Sequence, residues 1–310
     1  MQIILGANGI IGEELASELR VNYTDKIKLV GRNPKKVNTD DLLFQGDLLK
    51  PEDVNNALKH CEIAYLTVGL PYNSAVWLRD WPKIMHNVIA GCKANNCKLV
   101  YFDNTYAYPQ GSKIQKENTP LKSEGKKGKA KKIAAQLLLL AIKEKKIDAV
   151  ICRAPEFYGP GKTKGITNTL IFKKLKITKK PKLFLKDNVL RTLIYAPDAS
   201  KAMALIGNTP DAFGQTWHLP CDDYRLTYKE ILEEISKQLG RTIQYDILNS
   251  VTLKIASFFN NDIKETQELL PRYKIDNLFY SSKFKKKFPD FNITTYQQGI
   301  KNILEDYQIK

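Results

Sequence analysis

At 310 residues the chain is long enough for one large or two modest domains, and 43% hydrophobic with 26% charged residues is a globular rather than a disordered composition. No run of about 18 apolar residues occurs; the longest candidate, around Leu137 to Ile142, is too short to span a bilayer. The net charge of +16 comes mostly from lysines in short runs at 126–132, 173–182 and 283–287. No nucleic-acid module accompanies them, so solvated faces are expected rather than nucleic-acid binding.

The chain opens on MQIILGANGIIG. Gln2 to Leu5 is too short for a helix and carries β-branched Ile3 and Ile4, whereas EELASELR from Glu13 places Leu15, Ala16 and Leu19 at helical spacing. The order is strand, glycine turn, helix. Gly6 permits the tight turn, Gly9 lets the backbone approach a ligand and Gly12 lets helix and strand pack closely. Free N–H groups at the helix start then face a pyrophosphate, so Gly6, Asn8, Gly9, Ile10, Ile11 and Gly12 are the expected dinucleotide contacts. With the strand starting at Met1, no signal peptide is expected. Five cysteines without a C-x-x-C pair fit reduced thiols, and a cytoplasmic location follows as an expectation.

Lys26 to Val30 reads as the second strand, followed by Gly31-Arg32-Asn33-Pro34. An NAD site usually places an acidic residue here for the ribose 2′-hydroxyl, whereas a 2′-phosphate prefers arginine. Arg32, with Lys35 and Lys36 behind it, favours NADP(H) over NAD(H). Asp47 and Leu48 end the third strand, where the adenine is expected, and Pro51 with Glu52 and Asp53 opens a helix. The fourth strand, Ile63 to Val68, ends at Val68 and Gly69 beside the expected cofactor cleft. The helix carrying Trp77, Trp81, Ile84 and Val88 is assigned to core. A fifth strand, Lys98 to Phe102, precedes Asp103-Asn104-Thr105-Tyr106-Ala107-Tyr108. A helix over about 126–145 then leads to a sixth strand, Ala149 to Arg153. Alternating strands and helices predict a doubly wound α/β parallel sheet with ligands at the strands' carboxyl ends.

GANGIIG at 6–12, GD at 46–47, DNTYAY after the fifth strand, RAPEFYGPG at 153–161, RTLIYAPDAS at 191–200 and GQTWHLPCDDYRLTYKEILEEI at 214–235 together resemble the extended short-chain dehydrogenase/reductases, the group of NAD-dependent epimerase/dehydratases. The resemblance implies a Rossmann domain over residues 1–157 with a return segment near 188–206, and a smaller C-terminal α/β substrate domain over 158–310. It also implies a Tyr-x-x-x-Lys pair on the helix before the sixth strand, whose lysine lowers the phenol pKa and holds the nicotinamide ribose. Here that helix reads GKKGKAKKIAAQ, which sets Lys132 at the lysine and Gly128 at the tyrosine. Asn104 replaces the family's Ser/Thr, and Glu156 stands where the family has an asparagine that helps hold a nucleotide sugar. The one Tyr-x-x-x-Lys spacing, Tyr158 to Lys162, encloses Gly159-Pro160-Gly161 and is not helical. These departures resemble atypical members that keep the fold and lose the signature.

Two functions follow. One is an oxidoreductase or epimerase-like enzyme on a small-molecule carbonyl or hydroxyl substrate, with acid/base candidates Asp103, Tyr106, Tyr108 and Glu156, and with Asn104 and Lys132 at the site. The other is a non-catalytic NADP(H)-sensing protein, with the lysines at 126–132 as a partner surface. Arg191 is assigned an anion contact and Asp198 a helix cap. No metal-ligand spacing is present, and neither metal nor membrane is an expected partner. The resemblance implies a homodimer through cofactor-domain helices, which the lysines at 126–132 would oppose.

Overall fold

The computed structural model describes residues 1–111 and 113–309. The elements run β1 (Gln2–Leu5), α1 (Ile10–Asn22), β2 (Ile27–Gly31), β3 (Leu42–Gln45), α2 (Pro51–Leu58), β4 (Ile63–Leu66), α3 (Ser74–Ala94), β5 (Lys98–Asn104), α4 (Lys126–Lys143) and β6 (Ala149–Ala154). They continue with β7 (Glu156–Tyr158), α5 (Lys173–Lys176), β8 (Lys182–Phe184), β9 (Leu190–Arg191), β10 (Leu193–Tyr195), α6 (Ala196–Gly207) and β11 (Thr216–His218). The last are β12 (Leu226–Thr227), α7 (Tyr228–Leu239), β13 (Asp246–Leu248), α8 (Ser250–Phe259), α9 (Asn261–Thr266), α10 (Ser282–Lys287) and α11 (Tyr296–Asp306). Two compact units emerge. The first comprises Met1–Ala107, Leu121–Ala154 and Ala199–Leu219, and the second Tyr108–Pro120, Pro155–Asp198 and Pro220–Lys310.

The first unit holds a seven-stranded sheet in the order β11-β6-β5-β4-β1-β2-β3, every pairing parallel. The doubly wound α/β sheet expected from the sequence is therefore present. Alternation along β1 explains why both faces are covered: Ile3 and Leu5 join the core under α2, α3 and α4, whereas Gln2 on the opposite face donates to Asn208 just beyond α6 (2.7 Å). Trp77, Trp81, Ile84 and Val88 are buried along α3, as their spacing predicts. TWH at 216–218 forms the seventh strand of this sheet, with Trp217 opposite Cys152. The strand order reverses at β1, which has β2 on one side and β4 on the other, and this is the switch point where a ligand crevice opens in such sheets.

The second unit contains three two-stranded pairings: β7 with β10 and β8 with β13 in parallel, and β9 with β12 antiparallel. Helix α7 starts with a full capping box from Thr227 and Glu230 and ends on left-handed Gly240. Asp198, expected as a cap, sits inside the first turn of α6, and its carboxylate accepts from the Thr294 backbone N–H (2.7 Å) and hydroxyl (2.9 Å). Tyr158 is buried on β7 and stacks on Tyr296, so the tyrosine of the non-helical Tyr158 to Lys162 spacing is core. Among the described residues no helix is long and apolar enough to cross a membrane.

Candidate functional site

The glycine turn sits at the switch point of the first unit. Gly6 adopts φ +93°, and a Cβ there would collide with the Val68 backbone at the end of β4. A Cβ on Gly12 would lie 2.8 Å from Ala7 Cα, so glycine is what lets α1 start against the turn. Gly9, the N-cap of α1, is different: its nearest neighbour is a carbonyl 3.9 Å away, and its face is open. Ile10, half-buried, and Ile11, buried, begin the helix, so their backbone N–H groups are among those without intrahelical acceptors. This is the cradle a pyrophosphate requires, and the residues present fit a dinucleotide.

Asn8 ties this turn to the segment after β2, its side chain donating to Asn33 O (2.6 Å) and accepting from Lys35 N–H (3.2 Å). Arg32 is exposed beside it and has no hydrogen-bond or ion-pair partner among the described residues. Asp47 is a turn residue: its carboxylate accepts from Leu49 N–H (3.0 Å) while its own N–H donates to Asp53 (2.9 Å). Leu48 is buried, Val68 half-buried, and Gly69 exposed with nothing within 4 Å of a Cβ.

Beyond β5 the sequence candidates separate. Asp103 is fully buried, with Lys131 Nζ at 3.0 Å on one carboxylate oxygen and Arg153 Nε at 2.9 Å on the other. Tyr101 donates to the same carboxylate at 3.3 Å, and Lys131 also hydrogen-bonds Tyr101 and lies 3.8 Å from the Trp81 ring centroid. Burial pushes the Asp103 carboxyl up, but the Lys131 and Arg153 charges outweigh it and hold it below its ordinary value. Burial pulls Lys131 down against the opposing pull of Asp103. A carboxylate so committed is an anchor between β5, β6 and α4 rather than an acid/base facing a substrate.

Tyr106, half-buried just past β5, lies 3.3 Å oxygen to oxygen from Tyr72, half-buried in the β4–α3 loop. Trp77 packs edge-on against both rings, and Lys127 Nζ sits 4.3 Å from the Tyr72 ring centroid. Asn104 accepts from Tyr106 N–H (3.1 Å) and so fixes that turn. The sequence reading missed Tyr72 and Lys127. Tyr72 follows the Gly69-Leu70-Pro71 edge directly, and that adjacency to a strand's carboxyl end was the available signal.

The NAD dependent epimerase/dehydratase family model matches residues 2–219. The chain belongs to that family. No curated protein sequence matches it. Among solved structures, UDP-glucuronic acid 4-epimerase from Bacillus cereus in complex with NAD superposes with a TM-score of 0.80 at 16% identity, covering 99% of each chain. UDP-glucose 4-epimerase from Thermus thermophilus with NAD gives 0.77 at 14% identity, again over 99% of both. dTDP-glucose 4,6-dehydratase from Bacillus anthracis with NAD gives 0.79 at 16%, over 99% of this chain and 96% of that one. At such identities the likeness establishes the epimerase/dehydratase fold.

Within that fold α4 departs from the family signature. A Cβ on Gly128 would stand 2.6 Å from the Tyr106 carbonyl oxygen and 3.0 Å from Ser123 Cβ, so the position where the resemblance places the tyrosine is closed by main chain. Lys132 is half-buried with no hydrogen-bond or ion-pair partner among the described residues, whereas Lys127 and Lys131 are fully buried. The lysines at 126–132 are therefore not one exposed strip: Lys126 and Lys129 are exposed, Lys132 is half-buried, and Lys127 and Lys131 are buried.

In the second unit Glu156 is enclosed by donors. It accepts from Thr167 N–H (2.9 Å), the Thr167 hydroxyl (2.6 Å), Tyr273 (3.0 Å) and Arg191 (3.3 Å). The Arg191 guanidinium lies 4.5 Å from the Tyr273 ring centroid and 5.7 Å from that of Tyr228, beside these two parallel rings, and donates to Arg272 O (2.6 Å). Burial, then the Glu156 charge, pushes both phenols up, so they remain neutral donors. The expected anion contact of Arg191 is thus met from within the chain. Tyr108 is fully buried and donates to Lys116 O (3.1 Å). Among the described residues no group of three or more His, Cys, Asp or Glu could hold a metal.

Proposed function

We propose that the chain is an NADP(H)-dependent oxidoreductase of the epimerase/dehydratase type, acting on a small-molecule carbonyl or hydroxyl substrate with Tyr106 as its acid/base. The observation that carries this reading is the pair of half-buried phenols, Tyr72 and Tyr106, at the carboxyl ends of β4 and β5, the same sheet edge as the glycine turn. Asp103 and Glu156, the carboxylate candidates, are consumed by ion pairs. Bound in the glycine cradle, the dinucleotide would supply or accept a hydride. Tyr106 Oη gives a proton to the substrate oxygen and becomes a phenolate, or, starting as the phenolate, takes the proton of a substrate hydroxyl; Tyr72 Oη donates to that phenolate, and Lys127 beside the Tyr72 ring adds positive potential. The 3.3 Å separation is long for a hydroxyl pair and shortens when charge develops on one partner.

NADP(H) is favoured because Arg32 is exposed and uncommitted where a 2′-phosphate would lie, and no carboxylate stands at that position. Calorimetric titration with NADPH and NADH, on the wild type and on Arg32→Ala, tests the cofactor. The expected result is tighter NADPH binding that weakens roughly ten-fold or more in the variant, as a charge-assisted contact requires. Equal affinities in both proteins would overturn the preference.

The closed position at Gly128 favours a second reading, a non-catalytic NADP(H) sensor. Oxidation of bound NADPH by members of a carbonyl-compound panel, lost in Tyr106→Phe, supports the enzyme. Binding without oxidation by any of them supports the sensor.

A further inference from the structure

The second unit exposes an apolar helix face of an unusual kind. On α8, Val251 is 67% exposed, Ile255 56%, Phe258 78% and Phe259 88%, while Leu253 alone is buried. Spacings of four, seven and eight residues place the four exposed side chains on one face. Two adjacent phenyl rings held almost wholly in water make a patch that marks an interaction surface. The only charged residue on the helix is Lys254, and Ile247 on β13 extends the apolar surface at 44% exposure.

The neighbouring chain supplies the second observation. Residues 157–186 contain nine lysines and no carboxylate. Strand β8 from this stretch pairs in parallel with β13, and α8 begins two residues after β13 ends, its Asn249 cap accepting from Thr252 N–H (2.8 Å). Lys186 follows β8 at the end where α8 begins, whereas Lys179 and Lys180 precede β8, six and seven residues earlier and up to about 20–23 Å away along an extended chain at about 3.3 Å per residue. Lys176, Lys179, Lys180, Lys182 and Lys186 are exposed, and none has an ion-pair partner among the described residues. Cations spread over about two Debye lengths meet an extended charged plane, not a single small anion. Five carboxylates border this surface in sequence, Glu265 on α9 and Glu268 just after it among them. Asp187 closes the lysine stretch and accepts from the Tyr245 hydroxyl (2.7 Å), Asp246 lies opposite Lys182 on β13, and Asp262 is on α9. None of them interrupts the run of lysines.

From these we infer that α8 and the lysines flanking β8 form a docking face for an anionic phospholipid surface, into which Phe258 and Phe259 insert while the lysines meet the headgroups. An apolar helix face of modest length combined with basic residues is the pattern of a peripheral interfacial helix. The sequence expectation of no membrane partner rested on the absence of a spanning segment, and contact with a surface needs none. A second copy is a poorer occupant, because it would bring an equally lysine-rich surface against this one.

The test is co-sedimentation of the full chain with vesicles of phosphatidylcholine alone or mixed with phosphatidylserine. The expected result is binding to the mixed vesicles only, lost on raising salt from about 0.1 M to about 0.5 M. The double variant Phe258→Ser, Phe259→Ser should weaken partitioning roughly ten-fold or more, with an unchanged melting temperature because both rings are already in water. Lys179→Gln with Lys180→Gln and Lys182→Gln should weaken it while leaving the rings in place. Equal binding to both vesicle types, or none to either, overturns the inference. So does a wild-type dimer in sedimentation equilibrium that the phenylalanine variant converts to monomer without vesicle binding, since a second copy would then cover the face.

Discussion

Replacing Asp103 with asparagine separates an anchoring carboxylate from a catalytic one. The substitution keeps the shape but removes the charge that faces Lys131 at 3.0 Å and Arg153 at 2.9 Å, all three side chains being at most 2% exposed. Two buried cations are then left without their shared anion, and breaking a buried ion pair by deleting one partner costs about 3–5 kcal/mol. Tyr101→Phe, which removes only the 3.3 Å hydrogen bond, should cost about 1 kcal/mol. Urea unfolding followed by circular dichroism measures both. Adding Lys131→Met to Asp103→Asn should recover at least about 1 kcal/mol, because one orphaned cation is then gone. Acid dependence provides an independent sign. Asp103 sits below its ordinary value of 3.8 in the folded chain, so its contribution is present above about pH 4 and lost as pH falls through the lowered folded value. Wild type should therefore lose stability more steeply than Asp103→Asn as pH drops below about 4. A cost under about 1 kcal/mol for Asp103→Asn would refute the anchoring argument. If turnover fell at the same time, Asp103 would return as an acid/base candidate.

Two further substitutions probe the other departures from the family. Glu156→Gln leaves the Arg191 guanidinium, 2% exposed, without a counter-charge and should lower unfolding free energy by about 3 kcal/mol, while NADPH affinity in calorimetry stays within about two-fold of wild type. Gly128→Ala forces a Cβ to within 2.6 Å of the Tyr106 carbonyl oxygen, so thermal unfolding should report a loss of about 1–3 kcal/mol.

The opening strand, turn and helix were legible because they are written in short spacings. Gly6 and Gly12 are glycine for two separate local reasons, a positive φ against Val68 and a close approach to Ala7, and both follow from the order strand, turn, helix. The seventh strand was harder: three residues at 216–218 carry no period of their own, and only pairing along β6 makes them a strand of the main sheet. The acid/base candidates were harder again, because Asp103 and Glu156 differ from free carboxylates only through partners far away in sequence. Lys131 is 28 residues from Asp103, and Arg191 is 35 from Glu156.

Helix α4 shows where identity misled and period would have served. Its buried residues include Lys127, Lys131, Ala134, Leu138 and Ala141, a stripe spaced by four, three, four and three. Projecting the alanines and Leu138 backward puts Lys127 and Lys131 on the inward face, yet lysine is so rarely buried that composition assigned the whole run to solvent. Each buried ammonium instead finds an aromatic ring, Tyr72 for Lys127 and Trp81 for Lys131, and Lys131 also finds Asp103. Between them Gly128 brings α4 against the Tyr106 main chain. The helix that carries a tyrosine–lysine pair in the resembled enzymes thus uses its lysines inward, one beneath the Tyr72–Tyr106 pair and one on the buried Asp103. On the enzyme reading proposed above, the acid/base is therefore sought on the strand edges that the helix supports rather than on the helix itself.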